Sequence, residues 1–163
     1  MPRFVIQQHA ARSMHWDFRL EVDGTFKSWA VPKGPSTDPR DKRLAQAVDD
    51  HSLEWGDFEG VIPGAEYGAG SVIVWDRGSY ENLRDEPMAE SLRNGHASFW
   101  LEGVKLRGGW SLRRTGGRSW LLMKRRDEQA DARRRPVKTQ RESVVSGRTI
   151  DEVREAFSTR DGG

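Results

Sequence analysis

The sequence predicts a mainly β protein, about eight short strands closed into a barrel or sandwich with one or two short helices. Apolar and polar residues alternate over short runs, glycines interrupt those runs, and six of the seven tryptophans fall inside them. Aromatic side chains suit a pleated, half-buried surface, so Trp16, Trp29, Trp75, Trp100, Trp110 and Trp120 are assigned to the core and not to base stacking.

The runs place strands at about 3–8, 14–22, 26–32, 43–49, 71–76, 97–102, 104–114 and 118–125. The clearest, HWDFRLE, alternates throughout, and the strand-like SWAVPK ends just before the Gly34-Pro35 turn. Thr115-Gly116-Gly117 supplies a hairpin turn between the last two strands. Residues 87–94 read as a short helix with Pro87 near its start and Gly95 as its stop. Thr149 with Glu152 forms a capping box that opens a terminal helix running to about Phe157.

A chain of 163 residues suits one core. Its charge of +2 is uneven: Lys and Arg number 16 against 17 acids in residues 1–123, 9 against 4 in 124–148, and 2 against 4 in 149–163. The division expected is a β domain over 1–125, a flexible basic tail over 126–148, poor in apolar residues, and a short helix and terminus over 149–163. A basic tail beside a nucleic-acid site could hold phosphates through counterion release. There is no apolar run of membrane-spanning length and no signal-peptide pattern, so a soluble cytoplasmic protein with no membrane partner is expected. With no cysteine, any metal must be held by His, Asp or Glu.

The segment HAARSMHWDFRLE, residues 9–21, is the most informative. In a strand, Trp16, Phe18 and Leu20 share one face, while His15, Asp17, Arg19 and Glu21 share the other. Exposed antiparallel strands also carry polar faces. A surface strand, however, has no need of a His, a carboxylate and a guanidinium in succession with His9 six residues upstream. Imidazoles and a carboxylate suit Mn, Fe or Zn and leave coordination positions open. Arg19 adds a donor fork suited to phosphate oxygens. Lys33 before the Gly34-Pro35 turn, Arg43, and His51 as a donor of a proton or hydrogen bond extend a phosphate site; in a regular strand Arg43 and His51 share a face.

FVIQQHAARSMHWDFRLEVDG, SWAVPKGPS, KRLAQAVDDHSLEW and FEGVIPGAEYGAGSVIVWDRG, with SVVSGRTIDEV near the end, resemble the phosphoesterase domain of bacterial DNA ligase D, which also occurs free-standing. The resemblance covers residues 3 to about 125 and implies a compact β-barrel. It also implies a hydrolase that uses a divalent metal, manganese foremost with zinc or cobalt as others, to trim damaged or ribonucleotide-bearing 3′ ends to 3′-hydroxyls for end joining.

By the same resemblance His9, His15 and Asp17 correspond to metal ligands, Arg19 and His51 to residues around the scissile phosphate, and Gln7, Glu21, Lys33 and Arg43 to supporting positions. It implies DNA or RNA-tipped 3′ ends as partners, nucleoid association, and end-joining associates among Ku, a ligase and a polymerase. Trp55 stands where the family often has Tyr; an indole offers no phenol oxygen, so phosphodiester cleavage is expected ahead of phosphomonoester cleavage. Only eight residues precede His9, where ligase-fused relatives commonly carry an extension, as expected of a trimmed domain or a free-standing form.

Two other readings make different demands. A non-haem iron oxygenase would use His15, Asp17 and His51 as a facial triad but leaves His9 and Arg19 idle; oxygen uptake with iron would reveal it. A degenerate module that binds DNA ends without cleaving them would keep binding after alanine replaces His15.

Overall fold

The computed structural model describes residues 1–64 and 70–162 and is built around one antiparallel sheet. Its strands are β1 (Arg3–Ala10), β2 (Met14–Val22), β3 (Thr25–Val31), β4 (Arg43–His51), β5 (Gly60–Ile62), β6 (Gly70–Asn82), β7 (His96–Gly103), β8 (Arg107–Gly116) and β9 (Ser119–Lys124). The order is β1-β2-β3-β4-β9-β8-β7-β6, and β1 also pairs β6. The eight predicted strands therefore close on themselves as a barrel, and short β5 adds to the outside of β6. Closure removes the free edges that an open sheet would leave.

Alternation decides what lies inside. Phe4, Ile6, Phe18, Leu20, Trp29, Phe99, Leu101, Trp110, Leu112 and Trp120 project into one continuous apolar core. Their sequence neighbours Gln7, His9, Asp17, Arg19 and Ser28 project outward. Of the six strand tryptophans, Trp100 alone is only half-buried.

Local signals set the turns. Asp23 (φ 51°) and Gly24 (φ 84°) make a two-residue link between Val22 and Thr25, the positive-φ pair that a right-twisted hairpin favours. The β8–β9 turn falls at Gly117-Arg118, two residues beyond the predicted start, because a bulge between Arg114 and Gly116 uses up the extra residue. The first helix, α1, spans Met88–Arg93 with Pro87 at its N-cap. After the four-residue α2 (Pro136–Thr139), the terminal α3 runs Ile150–Gly162, further than predicted, and is opened by the reciprocal Thr149–Glu152 hydrogen bonds. Among the described residues no helix is long and apolar enough to cross a membrane.

The expectation of a flexible tail over 126–148 does not fit its contacts. Thr37 exchanges hydrogen bonds with Asp131, the Trp75 indole donates to the Gln140 carbonyl, and Val144 N–H donates to the Val74 carbonyl. Lys105, 3% exposed, donates to the carbonyls of Gln140 and Glu142 with its ammonium 4.4 Å from the Trp75 ring centre. Val137 packs beside Gly34 and Trp16. The segment is a strap fastened by polar main-chain contacts, which an argument from apolar content does not detect. Burial pushes the Lys105 amine down to about 8.

Buried Asp76 organises the β7–β8 turn. Its carboxylate accepts from the backbone N–H groups of Val104 (2.9 Å), Lys105 (3.1 Å) and Leu106 (2.9 Å). Alanine there would strand three donors, each costing about 1–3 kcal/mol if left without water. Allowing for relaxation, we expect Asp76→Ala to lower stability by about 3 kcal/mol in chemical unfolding. A loss below about 1 kcal/mol would contradict this role.

Candidate active site

The outward face of β1 and β2 brings the predicted residues together through register. Pairing sets Gln7 opposite Asp17 and His9 opposite His15, so alternate residues of both strands share one patch. Nitrogen or oxygen ligand atoms of His9, His15 and Asp17 all lie within 4.8 Å of one another. His15 Nε2 is 3.2 Å from Asp17 Oδ1, and His9 Nδ1 is 3.8 Å from Asp17 Oδ2. Two imidazoles and a carboxylate converging from two paired strands make a donor set that fits a divalent transition ion with open positions.

Arg19 is 3% exposed and held from several sides. Its Nε donates to Gln7 Oε1 (2.7 Å), its Nη1 to Ser28 Oγ (2.7 Å), and its Nη2 lies 3.4 Å from Asp17 Oδ2. Nη1 is also 3.1 Å from His51 Nδ1. These contacts fix the guanidinium plane and leave an Nη2 hydrogen for a ligand. Gln7 turns its other end outward, its amide donating to the Trp55 and Phe58 carbonyls.

His51 reaches this patch through an irregularity. Ser28 pairs Val48 but Phe26 pairs His51, so β4 carries one extra residue between those pairs. The bulge corrects the regular-strand expectation: His51 joins the face of Arg19, whereas Arg43, beyond the bulge, takes the opposite parity. The His51 Nδ1 atom also lies 3.0 Å from the Asp49 carbonyl. Donating there would set an N–H against the guanidinium, so we assign Nδ1 as the acceptor from Arg19 and Nε2 as the protonated nitrogen.

The electrostatics follow from these contacts. Burial alone would raise Asp17, but the His15 hydrogen bond and the Arg19 charge hold its carboxyl below the usual range. Burial works against a charged His15 as well, yet its hydrogen bond to Asp17 and that residue's charge win and raise it. His51 is pushed down by burial and then by the charge of Arg19, favouring a neutral ring.

A cleft of about 430 Å³ opens over the patch, lined by His9, His15, Asp17, Arg19, His51 and Trp55. Its outer wall includes the 3-10 helix Leu53–Asp57, capped by Ser52 and pressed onto Phe26 so closely that a Cβ on Gly56 would lie 2.5 Å from that ring. The Trp55 indole stacks between His51 (ring centres 5.7 Å apart) and Phe58 (4.6 Å).

Four predicted residues do not line the cleft, of which Gln7 is buried behind Arg19. Lys33 is exposed in the turn after β3. Arg43 is half-buried, with Nη2 3.7 Å from Asp41. Glu21 shares the Arg19 face, but its carboxylate accepts from the Arg3 backbone N–H, away from the metal-suited cluster. Sequence reasoning missed Ser28 and Arg12. The register opposite Arg19 would have found Ser28, and its place between the two histidines would have marked Arg12, which lines the cleft.

The chain matches the DNA Ligase D 3′-phosphoesterase domain over residues 7–114. It is 52% identical over 154 residues to the multifunctional non-homologous end joining protein LigD of Pseudomonas aeruginosa, covering 91% of this chain and 18% of that protein. The corresponding DNA repair protein of Mycobacterium tuberculosis is 47% identical over 120 residues, 72% of this chain and 15% of that one. For the Mycolicibacterium smegmatis protein the identity is 41% over 131 residues, 77% and 17%. The chain thus spans less than a fifth of the length of each of these relatives.

Proposed function

The chain belongs to the DNA ligase D 3′-phosphoesterase domain family, and on that premise we propose that it is a divalent-metal-dependent hydrolase of 3′-terminal phosphoesters on DNA or RNA-tipped DNA. The observation that carries this reading is the cluster of His9, His15 and Asp17 with Arg19 and His51 beside it in one cleft. The metal is proposed to be manganese, with zinc and cobalt compatible with the same donor set.

A bound metal supplies Lewis-acid polarisation of a phosphoryl oxygen. Arg19 directs its uncommitted Nη2–H at a second phosphoryl oxygen and stabilises charge that develops there. His51 offers its Nε2–H to the substrate while Nδ1 stays on Arg19, so the two act as one rigid unit. Trp55 forms an apolar wall beside them that restricts water. On a ribonucleotide end the neighbouring 2′-hydroxyl would give up its proton, attack phosphorus and expel the terminal nucleoside as its 5′-alcohol, leaving a 2′,3′-cyclic phosphate that water opens; on a 3′-phosphate water would attack and expel the 3′-oxygen as the free hydroxyl, releasing inorganic phosphate. Lys33, Arg43 and Glu21 act as outer supports and do not touch the reacting phosphate.

The names of the relatives place those proteins in non-homologous end joining. We extend that context to this chain, as a producer of 3′-hydroxyl ends for a ligase, with Ku and a polymerase as associates. The test is a labelled primer–template ending in a 3′ ribonucleotide or a 3′ phosphate, incubated with and without manganese. Metal-dependent processing of the ribonucleotide end is expected, with slower phosphate release because of Trp55. No metal-dependent change on either end would refute the reading.

A further inference from the structure

The stretch from residue 103 to 126 contains eight Lys or Arg and no Asp or Glu, in a chain whose other residues carry 19 Lys or Arg against 25 Asp or Glu. The two lysines are buried and used internally. Lys105 fastens the strap, and Lys124 donates to Asp127 (2.6 Å) and to the carbonyls of Gly109 and Arg125. The six arginines, Arg107, Arg113, Arg114, Arg118, Arg125 and Arg126, are all exposed. Among the described residues none of the six forms an ion pair with a carboxylate.

This charge is concentrated around the β8–β9 hairpin. Arg113 pairs across β7 with His96, whose ring is also 3.0 Å from Arg84 Nη1. Arg114 has the opposite parity and turns over Trp120 at the barrel mouth, while Arg118 sits at the tip. Arginines left unpaired on a neighbouring strand and its turn repel each other, which favours the protein only when an anion is present to neutralise them.

Register connects the hairpin to the cleft. Ser119 pairs Gln46, Gln46 pairs Ala30, and Ala30 pairs Asp17, so the tip and the metal-suited cluster lie on one row of the barrel. The join is tight, since Ala47 N–H donates to the Arg118 carbonyl at 2.7 Å. Three interstrand steps of about 4.8 Å make about 14 Å along the surface. At about 3.4 Å per nucleotide, that is about four base pairs of duplex.

We propose that Arg113 and Arg118 form a second contact surface that grips the phosphate backbone of duplex DNA about four to six base pairs back from a 3′ end seated in the cleft, Arg118 after three strand steps and Arg113, on β8, after a fourth. The placement of the duplex rests on the function proposed above; binding by the hairpin does not require cleavage. Planar guanidinium groups suit phosphate oxygens, and contact through the backbone explains a surface with charge but no fixed sequence-reading pocket.

The test compares the intact protein with the variant Arg113→Gln/Arg118→Gln, by fluorescence anisotropy on a labelled duplex with a 3′-hydroxyl, in EDTA so that nothing is cleaved. A variant Arg133→Gln/Arg135→Gln, altered in exposed positions of the strap, carries the same change in net charge. The hairpin variant is expected to bind at least about tenfold more weakly at low salt. The slope of log affinity against log salt should fall by about two, while its unfolding temperature and the strap variant's binding stay unchanged. Binding within twofold of the intact protein with the same slope would overturn the proposal, as would an equal loss in the strap variant. An equal loss on a single strand of the same length would overturn the assignment to duplex. Hairpin-dependent binding by a protein that processes no 3′ end would sink the proposed function and leave this surface standing.

Discussion

Asp17→Ala is expected to abolish manganese binding and 3′-end processing together. Asp17 is the member of the cluster that both histidines approach, at 3.2 and 3.8 Å, and it also faces Arg19 at 3.4 Å. Removing the partner of a ligand commonly weakens metal binding by about 10–100-fold, so removing a ligand should cost more than about 100-fold. Asp17→Ala also leaves Arg19 buried without its carboxylate, which destabilises the protein. Asp17→Asn keeps the volume and separates the two effects: a folded Asn variant should still lose the metal. Calorimetric titration with manganese and the primer–template assay check both. A manganese affinity within threefold of the intact protein would remove Asp17 from the site.

The same contacts set the direction of pH dependence. Despite burial, the hydrogen bond to Asp17 and its charge raise His15, so a proton competes with a metal for that ring nitrogen up to higher pH than for a free imidazole. Asp17 is held low and stays ionised. Metal affinity should therefore weaken as pH falls through the raised His15 range and strengthen as pH rises above it.

The parts that sequence made legible are those governed by a local period. Asp17 and Arg19 alternate with Trp16, Phe18 and Leu20, and that parity alone puts the polar cluster on one face. The strand count was legible for the same reason, and the Thr149–Glu152 spacing announced α3. Parity failed where the backbone gains a residue: the β4 bulge separates Arg43 from His51, and no residue in RLAQAVDDH marks it. The strap was hidden for a different reason. Its anchors are carbonyls of Gln140 and Glu142 that accept from Lys105 and Trp75, long-range polar contacts that composition does not encode. Residues 65–69, central to the motif GVIPGAEYGAG, lie outside the described residues.

Arg19→Lys should lower turnover by about 100–1000-fold while leaving manganese affinity nearly intact, the range seen when one donor to a developing charge is removed. Lysine keeps the charge but replaces a planar fork with a point donor. It cannot meet Gln7 Oε1, Ser28 Oγ and His51 Nδ1 in the directions that Arg19 Nε and Nη1 now serve. The consequence reaches beyond one lost contact. His51 loses the partner that fixes its tautomer, and Gln7 loses the acceptor role that ties Arg19 to the carbonyls of Trp55 and Phe58. The loss should therefore appear in kcat more than in KM, because orientation is damaged while the cleft and hairpin still bind DNA. His51→Ala in the Arg19→Lys background should add little if the two act as a unit, and a full multiplicative loss would show that they act separately. Turnover by Arg19→Lys within threefold of the intact protein would show that charge alone suffices and that the four-way clamp on the guanidinium serves only the fold.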